Sequence, residues 1–123
     1  MTDPLECKQK VRELAEQLDK LSRELGRVNR ELRPIQEQYD TFIRDYEVGL
    51  YEECERDESK KLPAKDMRLA LALKQMPRDF RGKHHELVGQ RDSLKQQITN
   101  LRVEVEAWRS ILSADKVEME ALA

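Results

Sequence analysis

Two hydrophobic stripes, each advancing by alternating steps of three and four residues, govern what this chain can fold into. The first runs Val11, Leu14, Leu18, Leu21, Leu25, Val28, Leu32, Ile35, Tyr39, Phe42, Tyr46 without a slip. The second runs Phe80, His84, Leu87, Arg91, Leu94, Ile98, Leu101, Val105, Trp108, Leu112, Asp115, Met119, Leu122. Such spacing keeps one narrow apolar seam facing a partner helix over many turns, the sequence requirement of an α-helical coiled coil. Folding the chain back at Pro63 brings seam residues together wherever their numbers sum to 126, and each such match sets an a position against a d position. Leu25 then meets Leu101, Leu32 meets Leu94, Leu18 meets Trp108, Tyr46 meets Phe80 and His84 meets Phe42. The expected fold is all-α: an antiparallel coiled-coil helical hairpin with an irregular helical tip. The chain reads as one domain, 1–123, with an arm at 4–46, a tip at 47–83 and a second arm at 84–122.

Local signals agree with that outline. Thr2 or Asp3 can cap the first helix, with Pro4 at its first turn and Glu6 suited to the helix dipole. Pro34 lies inside the first stripe, where it removes a backbone hydrogen bond and predicts a bend near Arg30–Pro34. Past Tyr46 the seam lapses: Gly49 takes the next seam position and an acidic run follows, Glu52, Glu53, Glu55, Asp57, Glu58. A residue preceding proline disfavours helix, so the break is expected at Leu62, with Asp66 capping a short helix after it and Pro77 opening another.

Composition narrows the class. Charged residues make up 39% of the chain and aromatics 5%, the balance of exposed long helices rather than of a globule. A single seam on each of two arms is a thin core, so homo-oligomerisation or a protein partner is expected. Off-seam Ile43, Leu50, Val88 and Ile111 widen the apolar face and point the same way. The net charge of −2 gives no general attraction to nucleic acid or to an acidic membrane. No apolar run approaches the roughly 18 residues of a membrane helix, and no secretory signal is evident, so a cytoplasmic protein is expected. Cys7 extends the first seam and lies far from Cys54, which suits reduced thiols.

No nucleophile elbow, phosphate loop or metal-binding array occurs, so neither an enzyme nor a cofactor is expected. Adjacent His84 and His85 point in different directions on a helix and make a poor metal pair; His84, on the seam among Phe42, Tyr39, Tyr46 and Phe80, suits aromatic packing. Trp108 also lies on the seam, which favours burial between helices over stacking on a base. The seam residues Leu18, Leu25, Leu32, Leu94, Leu101 and Trp108 are the expected oligomer and coil contacts. One compact basic cluster remains, around Arg78, Arg81, Lys83 and His85. Residues 64–91 hold seven Lys and Arg against three acids, and residues 47–58 hold six acids and one Arg. Two readings stand: a patch contacting nucleic-acid phosphates, or acidic and basic stretches that face each other and cancel.

The order of heptad helix, Tyr-rich acidic segment (Tyr46 to Asp57), proline break and a helix ending Val105-Glu106-Ala107-Trp108-Arg109-Ser110-Ile111-Leu112-Ser113 resembles small helical proteins of tailed phages. It is also similar to the UvsY family of phage recombination mediators. That resemblance implies a ring-like oligomer that binds single-stranded DNA and loads a recombinase. Two functions are therefore expected to compete: a non-enzymatic oligomeric scaffolding protein, and a nucleic-acid-binding accessory protein. A third, a holdase gripping unfolded chains through Leu69, Leu71, Leu73 and Met76, needs those side chains exposed.

Overall fold

Asp3 starts the first helix. Its Oδ1 accepts from the backbone N–H of Leu5 at 3.0 Å and its carbonyl accepts from Cys7 N–H at 3.0 Å, an N-cap directly ahead of Pro4. The computed structural model describes the backbone of residues 3–122 and the side chains of 3–114 and 121–122. Thr2 as a cap, and Asp115 and Met119 as seam residues, lie outside what is described. Three helices make up the fold: α1 (Pro4–Arg56), α2 (Lys65–Gln75) and α3 (Arg78–Leu122), with no strand among the described residues. None of the helices, among the described residues, is long and apolar enough to cross a membrane.

The first helix runs through Pro34 and Gly49 and continues past Tyr46 to Arg56. Its end is set by Asp57 rather than by the residue before Pro63. Asp57 Oδ1 accepts from Ser59 N–H at 3.0 Å and from Ser59 Oγ at 2.6 Å, while Lys60 N–H donates to the Asp57 carbonyl at 3.0 Å. That side-chain turn competes with helix six residues ahead of the proline. The acids Glu52, Glu53 and Glu55 near the negative end of the helix dipole weaken the alternative of continuing. Nor does Asp66 cap α2: the cap position is Ala64, without a side-chain hydrogen bond, and Asp66 sits in the first turn. Proline does act as expected at the second break, where Met76, held extended at ψ 138° ahead of Pro77, separates α2 from α3.

The chain divides into two compact units, Met1–Val28 with Gln90–Ala123, and Asn29–Gly89. In the first, Cys7, Leu14, Val28, Ile98 and Val105 are buried. In the second, Leu32, Ala72, Met76 and Leu87 are buried. Every stripe residue from Val11 to Tyr46 and from Phe80 to Leu112 is buried or half-buried. The heptad seam is therefore the packed face. Neither cysteine forms a disulfide.

The pairing differs from the one expected about Pro63. His84 stacks on Tyr39, with ring centroids 3.8 Å apart and planes 7° from parallel, and its Nε2 lies 2.7 Å from Gln36 Oε1. The aromatic packing expected of His84 is thus with Tyr39. In the first unit, Leu101 shares a groove with Gln17, Lys20 and Leu21. Trp108, half-buried, lines a groove with Gln9, Lys10 and Glu13. The Leu101 and Trp108 neighbourhoods lie nearer to a pairing one heptad lower, in which seam numbers sum to 119. The same sum would set Val28 opposite Arg91 within the first unit. On this sum Leu25 would face Leu94 within the first unit and Leu32 would face Leu87 within the second. A single turn at Pro63 does not set the register because the chain reverses over an entire helix and two breaks.

Candidate functional site

The second unit carries the chemistry-bearing side chains, and its frame comes from one arginine. Arg68 on α2 donates from Nε to Glu47 Oε1 at 2.8 Å and from a terminal nitrogen to the Pro63 carbonyl at 2.9 Å. Its guanidinium also lies over the Tyr51 ring, 5.6 Å from the centroid. One side chain thus ties α1, the connection and α2 together, and it realises the facing of acidic and basic segments at Glu47. Lys60 Nζ, 3.9 Å from Glu53, neutralises a second acid in the turn.

The basic cluster lies at the start of α3. Pro77 precedes the helix and its carbonyl accepts from Arg81 N–H at 3.0 Å. Steps of three and four residues then put Arg78, Arg81, Gly82 and His85 on one face of the first turns. Together with Tyr39, Leu73 and His84 they line a recess of about 470 Å³. Arg81 donates from a terminal nitrogen to the Leu73 carbonyl at 3.3 Å, satisfying one of the carbonyls left over where α2 ends. Arg78, Lys83 and His85 are exposed and make no ion pair among the described residues. Lys83 lies outside the recess. His84 forms one wall with Tyr39, its Nε2 within 2.7 Å of Gln36 Oε1.

Sequence reasoning placed the four basic residues in one cluster, and three of them converge on the recess. It missed Arg68, whose only sequence signal is its place opposite the acidic segment. It also missed Gln36, which lies off the seam. Arg91, a seam interruption, is half-buried and turns to Asp92 Oδ1 at 3.1 Å on its own helix. For the holdase reading, Met67 and Leu69 are exposed, but Leu71 and Leu73 are half-buried and Met76 is buried. Among the described residues no group of three or more His, Cys, Asp or Glu is placed to hold a metal ion. No protein-family model, curated protein or solved structure matches this chain.

Proposed function

We propose that this chain is an antiparallel coiled-coil hairpin that self-associates through its arms and acts as a non-enzymatic scaffold for a protein partner. The observation that carries this reading is the incomplete cover of the seam. Leu14, Val28, Leu32, Leu87, Ile98 and Val105 are buried, yet Val11, Leu18, Leu21, Leu25, Leu94, Leu101, Trp108 and Leu112 keep part of their surface in water. Two helices bury only the inward side of a and d residues, and a further helix covers the remainder. Trp108 is too large for a two-helix layer and suits a bundle. Sedimentation equilibrium at micromolar concentration tests the reading: a dimer or larger species is expected. A folded monomer across the whole concentration range overturns it.

A second reading rests on a different observation, the exposed and unpaired Arg78, Lys83 and His85 at the start of α3. It makes the chain a nucleic-acid-binding accessory protein of the recombination-mediator type, and association multiplies weak patches through effective concentration. Its test is binding of a fluorescent single-stranded oligonucleotide from about 50 to 200 mM salt, where phosphate contacts weaken steeply. Unchanged affinity in Arg78→Glu/Arg81→Glu removes the patch from that role.

A further inference from the structure

We propose that the recess at the α2–α3 junction is a binding site for a phosphoryl group, with Arg78, Arg81 and His85 as its donors. The recess, about 470 Å³, is within the size range of small-ligand sites. Five α3 residues line it: Arg78, Arg81, His84 and His85 carry guanidinium or ring nitrogens, and Gly82 has no side chain to fill it. The two arginines are not spent on carboxylates. Among the described residues, Arg23, Arg27, Arg56, Lys60, Arg68 and Arg91 each sit against a carboxylate, whereas Arg78 and Arg81 do not. Arg81 is also held in place: one terminal nitrogen is anchored on the Leu73 carbonyl, and the rest of its planar fork keeps its remaining N–H donors. The opposite wall is a fixed surface, because Tyr39 and His84 are stacked and His84 is tied to Gln36.

The number of donors selects the ligand. Two guanidinium forks and an imidazole offer more N–H groups than the two oxygens of one carboxylate can accept. A phosphoryl group presents three terminal oxygens and up to two negative charges, which match that set. Such a group is carried by a free phosphate compound or by a nucleic-acid backbone. The site deepens the nucleic-acid reading but does not depend on self-association or on a polymer.

The test follows the His85 and His84 ring signals by NMR in the full-length chain, titrated with pyrophosphate and with a short single-stranded oligonucleotide, against sodium chloride at matched ionic strength. Saturable shifts with pyrophosphate, absent with chloride, are expected, and Arg78→Gln/Arg81→Gln is expected to weaken them about tenfold or more. Gly82→Ala is the second variant: its new Cβ meets no protein atom within 4 Å, so it intrudes on the recess without disturbing the packing. Weaker pyrophosphate binding with an intact helical spectrum is expected from it. Binding of both probes, each weakened by the variants, identifies a backbone phosphate as a source. Binding of pyrophosphate alone supports the site and removes the nucleic-acid reading. Shifts that fail to saturate, or that Gly82→Ala and the arginine variants leave unchanged, overturn the proposal.

Discussion

Leu14 decides between the two registers that the seam permits. In the pairing that sums to 119 it faces Val105, and in the pairing that sums to 126 it faces Leu112. Leu14 keeps 2% of its surface exposed and Val105 5%, so both truncations remove fully packed methyl groups. Leu14→Ala is expected to cost about 3–5 kcal/mol, from lost transfer energy plus the cavity left behind, and Val105→Ala about 1–3 kcal/mol. If the two side chains share one layer, the second truncation enlarges a cavity already open. The double variant then departs from additivity by at least about 0.5 kcal/mol. Leu14→Ala with Leu112→Ala is the control, one heptad away and expected to add within about 0.3–0.5 kcal/mol. The assay is urea unfolding followed by helical circular dichroism, at a fixed protein concentration because association contributes to the measured stability. Additivity for Leu14 with Val105, together with coupling for Leu14 with Leu112, refutes the lower register.

Arg68→Ala is expected to lose about 2–3 kcal/mol, since its side chain is only 16% exposed and one change removes the Glu47 pair, the Pro63 bond and the Tyr51 contact. Glu47 is 38% exposed, so Glu47→Gln alone is expected to cost under about 1 kcal/mol; equal losses in the two variants count against Arg68 as the tie. The Ser59 hydroxyl, then the Ser59 backbone N–H, hold the Asp57 carboxyl below the ordinary aspartate range, with Lys60 adding to the effect. A depressed folded-state value means that the contribution is complete above the ordinary aspartate pKa and is lost as pH falls through the folded value. Carboxyl carbon shifts of Asp57 are expected to titrate low in the native chain and to move upward in Ser59→Ala. Gly49 lies inside α1 and a Cβ there meets nothing within 4 Å, so Gly49→Ala is expected to raise stability by about 0.5–1 kcal/mol, read as a higher urea midpoint.

Much of the architecture was legible because its signal is periodic. A stripe every three and four residues fixes which face of each helix packs, and the burial of Leu14, Val28, Leu32, Leu87, Ile98 and Val105 on that face follows from the spacing alone. Helix ends were less legible, since they turn on single side chains. Asp57 stops α1 through a local hydrogen-bonded turn that competes with an equally plausible proline signal downstream. The basic cluster was visible as a run of charges. What could not be seen was which of its members share a face with a void, and that Arg81 is partly engaged in capping α2. Arg68 and Gln36 escaped for the same reason: their partners are distant in sequence, at Glu47 and His84.

Register is the case where sequence could not have succeeded in principle. Sliding one arm by a heptad returns every a position to a d position, so pairings summing to 126 and to 119 satisfy the hydrophobic pattern equally. The choice must come from contacts that do not repeat every seven residues. The tip supplies them. The Gln36 hydrogen bond to His84 has no equivalent one heptad away, since such a slip sets Tyr46 in the place of Tyr39 but the apolar Ile43 in the place of Gln36. Polar groups at seam positions cost stability and gain specificity in this manner. The same contacts that fix the register also build one wall of the recess. A slip of seven residues would therefore leave the seam filled, with Tyr46 in the place of Tyr39, while removing the hydrogen bond that holds His84 beside Arg78, Arg81 and His85.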